Sequence, residues 1–205
     1  MSNSYKYIDP DYTYTDPNSG LLRNLQDITD PDVLLFVESG VVTKRLQQLH
    51  EKPIKIKGID SLFEIHKHLF QDLYVWAGKK RKVEISKDGK QFFPTTHFDI
   101  AFRHIDQLIH EFKKIPKENK KSLAEKLAEI LDNVNYLHPF REGNGRTQRE
   151  FLRLLALEKQ LILNLNPPNE RSVYERYMKG TIDSELNILT DLIYDLIDKE
   201  IKKDS

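Results

Sequence analysis

Apolar residues recur at helical spacing along most of the chain. Val33, Leu34, Val37, Val41, Val42, Leu46 and Leu49 follow Asp30-Pro31, where Asp can cap a helix and Pro suits its first turn. A second helix is predicted from near Asp60, with Leu62, Phe63, His66, Leu69, Phe70 and Leu73 on its apolar face. Trp76-Ala77-Gly78 ends that unit, with Gly78 as its terminus. His66 and His68 point to different faces and so do not share a metal. Phe98, Ala101, Ile105, Leu108, Ile109 and Phe112 form a third stripe. Leu123, Leu127, Ile130, Leu131 and Val134 form a fourth, beyond the Lys-rich loop 116–121. Phe151, Leu152, Leu154 and Leu155 lie in the next helix, 161–168 reads as a connection, and Val173, Tyr177 and Met178 mark a short helix. A last helix is expected over 182–202, with Leu186, Leu189, Ile193 and Ile197 facing inward.

Two segments break this rhythm. Residues 1–30 are rich in Tyr, Pro, Asp, Asn and Ser, and read as an irregular arm laid on the domain with its tyrosines partly buried. Between 79 and 95, Arg81-Lys82-Val83-Glu84-Ile85-Ser86 alternates polar and apolar residues, Asp88-Gly89 signals a turn, and Gln91-Phe92-Phe93 follows before Pro94. This predicts a short β-hairpin, which must lean on helices because it cannot form a core alone. The expected fold class is therefore all-α with a β accessory. With neither repeat nor dividing linker, 31–205 is expected to form one domain carrying the arm 1–30.

Composition adds limits. The 205 residues, 39% hydrophobic and 31% charged, suit one folded core. Lys+Arg and Asp+Glu both number 32, so no long-range positive field favours direct nucleic-acid binding, although a local basic groove stays open. The absence of Cys rules out disulfides and thiolate metal sites and accords with a cytoplasmic location. The first 20 residues hold no apolar run of the signal-peptide kind, and no run nears the roughly 18 apolar residues of a membrane span.

The segment His138-Pro139-Phe140-Arg141-Glu142-Gly143-Asn144-Gly145-Arg146-Thr147-Gln148-Arg149 carries the candidate chemistry. Pro139 should end the preceding helix, Gly143 and Gly145 permit a tight turn, and helix is expected to resume around Arg146. A turn feeding a helix start offers unpaired N–H groups and a favourable dipole to an anion. Arg146 and Arg149, three apart, share a face and can reach phosphate oxygens, and Asn144 can donate to one more. Glu142 suits such a site if it holds a divalent cation, and Mg²⁺ bridges carboxylates and phosphates. His138 can accept a proton near neutrality. Singly, a His before Pro can be a packing residue, a Gly-Asn-Gly a plain turn, and paired Arg a solvated face. Together they describe phosphoryl or nucleotidyl transfer. The segment is not a Walker loop, since no strand precedes it and no Lys-Ser or Lys-Thr follows.

HPFREGNGRTQR resembles the full signature of Fic-domain proteins, HPF-x-(D/E)-GNGR-x-x-R, at every defined position. Tyr74-Val75-Trp76-Ala77-Gly78 with Val83-Glu84-Ile85-Ser86-Lys87 is similar to the family's segment leading into a target-docking flap. Residues 13–25 resemble the N-terminal arm of short bacterial members. The resemblance implies an all-α Fic fold around a central helical pair, with the hairpin as flap. It implies an enzyme that moves AMP from ATP to a Tyr, Ser or Thr hydroxyl of a target protein and releases pyrophosphate.

On this reading His138 is the general base and Glu142 holds Mg²⁺ between the α- and β-phosphates. Gly143, Asn144 and Gly145 form the anion hole, Arg146 grips the β- and γ-phosphates and Arg149 the γ-phosphate. Phe140 anchors the loop, as a structural residue beside Pro139. The flap, placed at Val83 to Phe93 and including Glu84, Ile85, Ser86 and Phe92, would clamp the target by β-augmentation. The related Doc kinases carry Lys where Gly145 stands and transfer phosphate, so Gly145 favours AMP. Doc-like phosphotransfer, another nucleotide donor, or a catalytically weak nucleotide-binding module are the alternatives. Many members are restrained by a helix bearing (S/T)-x-x-x-E-(G/N), whose Glu pairs with the residue matching Arg149. Thr181-Ile182-Asp183-Ser184-Glu185-Leu186 fails that pattern at its last position. A small separate antitoxin supplying the glutamate is the favoured expectation, as for toxins of two-component modules acting on gyrase- or topoisomerase IV-like targets, with self-inhibition through Glu185 or an unregulated, effector-type protein as the alternatives.

Overall fold

The structure, a computed structural model, describes residues 5–7, 9, 12–87, 89–167 and 170–199. Its elements in order are β1 (Tyr5–Tyr7), α1 (Pro31–Glu51), α2 (Asp60–Phe70), β2 (Ile85–Lys87) and β3 (Lys90–Gln91), then α3 (Phe98–Lys114) and α4 (Lys120–Leu137). They continue with α5 (Asn144–Glu158), β4 (Leu161–Ile162), α6 (Arg171–Asp183), α7 (Leu186–Leu196) and β5 (Asp198–Lys199). The architecture is the expected all-α fold with a small antiparallel hairpin beside the candidate site.

Local chemistry accounts for the helix boundaries. The Asp30 carboxylate accepts from the Asp32 and Val33 amides at 2.9 Å, and Pro31 occupies the first turn of α1. The Asn119 side chain caps α4 through the Ser122 amide. α4 is buried almost all round, through Leu123, Ala124, Leu127, Ala128, Ile130, Leu131, Val134 and Leu137. It packs against α3, α5, α6 and α7, while α5 also packs on α2, so α4 and α5 form the central pair.

Three expectations are corrected. The helix predicted over 182–202 is two helices: α6 runs through Asp183, Ser184 turns left-handed at φ 52°, and α7 ends at Leu196. Ser184 breaks the helix without a Gly or Pro signal. Leu189 and Ile193 do face inward, as does Ile197 beyond the helix end, but Leu186 is 43% exposed. Residues 200–202 lie outside the described residues. The connection at 161–168 contains β4, which pairs with β5 through Leu161 to Lys199 and Ile162 to Asp198; Pro168 is outside the described residues. The arm is not wholly irregular, because β1 joins the hairpin as a third strand, in the order β1-β2-β3.

The hairpin is smaller than 83–93. Its ladder pairs Ser86 with Gln91 and Lys87 with Lys90, and Asp88 of the expected turn lies outside the described residues. Tyr14 of the arm is buried edge-on to Trp76, and its hydroxyl accepts from the Lys82 amide at 3.0 Å. The arm is thus fastened to the segment entering the hairpin.

Candidate active site

The site forms where α4 ends and α5 begins. The His138 amide still bonds the Val134 carbonyl at 3.1 Å, but its own backbone is left-handed at φ 44°, which turns the chain out of α4 ahead of Pro139. Gly143, at φ 80°, turns it back into α5. Helix resumes at Asn144, two positions earlier than the sequence suggested. The Asn144 amide explains this, since its Oδ1 accepts from the Phe140 amide at 2.9 Å and its Nδ2 donates to the Phe140 carbonyl at 2.8 Å. Asn144 is buried, and its side-chain amide braces the loop from inside. Phe140 is buried and stacks on the His66 ring at 3.8 Å.

A cavity of about 560 Å³ opens over the α5 start. His138, Glu142, Gly143, Gly145, Arg146 and Arg149 line its floor, Lys87, Lys90, Gln91 and Phe92 one wall, and α6 residues including Tyr174, Tyr177 and Met178 the other. The first-turn amides of α5 have no intrahelical acceptors and strengthen the positive character set by the arginines. The Gly143 amide is turned to the Glu142 carboxylate at 2.8 Å. Arg146 lies over the Phe70 ring at 4.8 Å, with Nη2 3.6 Å from Glu142. Arg149 lies over Tyr177 at 5.3 Å and, among the described residues, makes no ion pair. Glu185, exposed before α7, does not engage it here.

His138 is 7% exposed, and its ring stacks on Phe92 at 3.8 Å. Nδ1 lies 3.2 Å from the Asn135 carbonyl and must donate to it, which puts the lone pair of the neutral ring on Nε2. Burial lowers its pKa from 6.5 to about 3, and the Arg81 and Lys87 charges act in the same direction against the Asn135 carbonyl. The imidazole is therefore neutral, the form a general base requires.

Glu142 stands at the pocket edge with its side chain 38% exposed. Among the described residues no group of three His, Asp or Glu side chains gathers to cage a metal. One carboxylate beside two arginines and a helix start fits Mg²⁺, which would keep waters and share its coordination with phosphates if they bind there.

Expected flap residues divide by role. Val83 and Ile85 are buried in the core, and Ser86 is paired with both neighbouring strands. Glu84 accepts from the Thr95 amide and hydroxyl at 2.9 and 2.6 Å, closing the hairpin base. Phe93 donates its amide to the Tyr136 carbonyl at 3.0 Å, tying the hairpin to the end of α4. Lys90 reaches across to the Ile182 carbonyl at 3.1 Å and to Asp183 at 3.6 Å.

The Fic/DOC family model matches residues 56–156, which include the whole loop and flap. Over 142 residues, 68% of this chain, the sequence is 33% identical to the probable protein adenylyltransferase y4lH of Sinorhizobium fredii, covering 72% of that protein. The chain belongs to the Fic/DOC family. It is also 38% identical over 154 residues to the protein adenylyltransferase VbhT of Bartonella schoenbuchensis, but the match spans only 32% of VbhT's length. The crystal structure of the Bartonella tribocorum effector BepC, with bound AMPPNP, has the same fold: TM-score 0.79 at 20% identity, covering 92% of this chain and 98% of that one.

Two residues supporting the Fic loop went unassigned in the sequence. His66, read as part of an apolar face, accepts the Gly78 amide at Nδ1 (2.8 Å), so its Nε2 donates to the Glu142 carbonyl at 3.0 Å. Burial lowers its pKa from 6.5 to about 3, against the Glu142 carbonyl, with the Arg146 charge adding to the effect. Arg81, 2% exposed, donates Nε to the His138 carbonyl at 2.8 Å, Nη1 to Val83 at 2.7 Å and Nη2 to Phe93 at 2.6 Å. Its amide also bonds the Pro139 carbonyl at 2.7 Å. These carbonyls, with Glu84 at 3.2 Å, offset the cost of burying the guanidinium.

Proposed function

We propose that this chain transfers AMP from ATP to a hydroxyl of a second protein. The observation carrying this reading is one cavity that holds a neutral His138, two arginines and a helix start beneath a hairpin with an open edge. ATP would lie with its β- and γ-phosphates toward Arg146, Arg149 and the α5 amides. Mg²⁺, held through Glu142, would neutralise charge on the phosphate oxygens. His138 Nε2 takes the proton of a target Tyr, Ser or Thr hydroxyl, and that oxygen bonds the α-phosphorus. The bond from the α-phosphorus to the bridging oxygen breaks, and pyrophosphate leaves toward the arginines. The names of y4lH and VbhT as adenylyltransferases support AMP over phosphate, as does Gly145.

The flap offers a target one edge. β1 covers β2, so an added strand must pair with β3. The Phe92 amide bonds the Ile85 carbonyl, so two positions along Lys90 and Lys87 form the next bonded pair, and the backbone of Gln91 between them faces outward. A target strand therefore docks main chain to main chain at Gln91, next to Phe92 and His138. Gyrase- and topoisomerase IV-like proteins are the targets to test first, by family analogy. Arg149, with no ion pair among the described residues, is the cation that a small antitoxin's glutamate would occupy.

Incubation with Mg²⁺ and ATP labelled at the α- or γ-phosphorus tests the reading. Label passes to protein from the α position alone, and His138→Ala lowers the rate by about 10²- to 10⁴-fold. Transfer of γ label instead would establish phosphotransfer, and nucleotide binding without transfer would leave a binding module.

A further inference from the structure

Arg146 is held from behind by a carboxylate outside the signature. Glu38, near the middle of α1, is 8% exposed, and its Oε1 lies 2.6 Å from Arg146 Nη1. Its Oε2 accepts from the Tyr74 hydroxyl. Tyr74 is itself buried, and burial first, then the bond to Glu38, raises its pKa, so it stays a neutral donor. Both Glu38 oxygens are thus engaged, and the backbone carrying them is fixed by Leu34, Val42 and Leu49 in the core. The Phe70 ring supports one face of the same guanidinium.

We infer that Glu38 and Tyr74 are positioning residues that fix the Arg146 guanidinium for the β- and γ-phosphates. Glu38 takes Nη1 while Nη2 points toward Glu142 and the cavity. A guanidinium presents its donors in a rigid plane, so fixing one edge aims the other. An unanchored Arg146 on the first turn of α5 would sample several rotamers and lose order again on binding. The opposite possibility is that Glu38 competes with phosphate for Arg146. The geometry favours positioning, because the carboxylate lies on the buried side and its second oxygen is engaged by Tyr74.

This inference rests on the reading of Arg146 as a β- and γ-phosphate ligand. The test compares ATP, ADP and AMP binding by titration to wild type, Glu38→Gln, Glu38→Asp and Tyr74→Phe, with circular dichroism to check folding. Removing outer partners that orient a metal's ligands costs about 10- to 100-fold, and the same range is expected here for ATP and ADP with Glu38→Gln. AMP, which lacks the phosphates Arg146 would hold, binds each variant as it binds wild type. Glu38→Asp recovers part of the loss, and Tyr74→Phe shows a smaller loss with the same nucleotide pattern. Equal weakening of AMP and ATP would reduce Glu38 to a structural role and overturn the inference. Tighter ATP binding by Glu38→Gln would overturn it in favour of competition. Binding is read without transfer, so an ATP-binding wild type that moves no AMP defeats the functional proposal while leaving this one to its own data.

Discussion

Replacing Gly143 by Ala perturbs the loop at its most constrained point. The residue sits at φ 80°, where a side chain costs about 1–2 kcal/mol. A Cβ there would also lie 2.4 Å from Phe70 Cζ and 2.5 Å from Cε2. Phe70 cannot simply retreat: it is fully buried, packs on His66 at 4.7 Å and carries the Arg146 guanidinium. Forced overpacking of this kind costs about 1–3 kcal/mol, giving about 2–5 kcal/mol in all. That is a large share of the roughly 5–15 kcal/mol that holds a domain folded. Gly145→Ala supplies the contrast, because a Cβ there meets only the flexible end of Arg149, at 3.3 Å. Denaturant unfolding and ATP titration on both variants should separate them. Gly143→Ala lowers the unfolding free energy by the stated amount. Gly145→Ala leaves it within about 1 kcal/mol, in line with helix propensity, but weakens ATP binding by shifting Arg149. A Gly143→Ala protein within about 0.5 kcal/mol of wild type, the range of neutral surface changes, would refute the reasoning.

Phe92→Ala uncovers His138, so its pKa should rise from about 3 toward the ordinary 6.5, and the acid limb of kcat/KM should move to higher pH. An unmoved limb would show that Phe92 does not shield the base. His66 and His138 also link stability to acidity. Both are held neutral in the fold, so from pH 6.5 down toward pH 3 the unfolded chain binds protons that the folded chain does not. Each should remove about 1.4 kcal/mol of stability per pH unit of acidification in that window, with no effect above it. Denaturant midpoints between pH 7 and pH 5 check this, and a flat profile would contradict both burials.

The sequence signals that worked were local. Asp30-Pro31 started α1, Pro139 and Gly143 bounded the loop, and the alternation from Arg81 marked the hairpin. What escaped depends on partners distant along the chain. Glu38 meets Tyr74 across 36 positions, and no periodicity encodes that. One clue was present: Glu38 lies four residues from both Leu34 and Val42, a charge on an apolar face, and such a charge needs a partner. His66, between Leu62 and Phe70, carried the same clue. The bracing bonds of the Asn144 side chain were not legible because its residue type fits an anion donor and a loop brace equally well, and only the position of the Phe140 backbone shows them. The apolar repeat through Leu186 and Leu189 concealed the break at Ser184.

Arg81 gives the hairpin and the catalytic loop a shared origin of measurement. It bonds the carbonyls of Val83 and Phe93 at the hairpin base and that of His138 itself. On the proposed reading a strand added at Gln91 would be located relative to the hairpin, and Arg81, together with the Phe93 amide on the Tyr136 carbonyl, locates the hairpin relative to His138. On that reading the gap between an incoming hydroxyl and the imidazole would be indifferent to the identity of most target side chains. Selection among targets would then pass to whatever lets a segment lie extended along two residues of edge, so accessibility of a strand-like stretch on the partner would matter more than its exact wording.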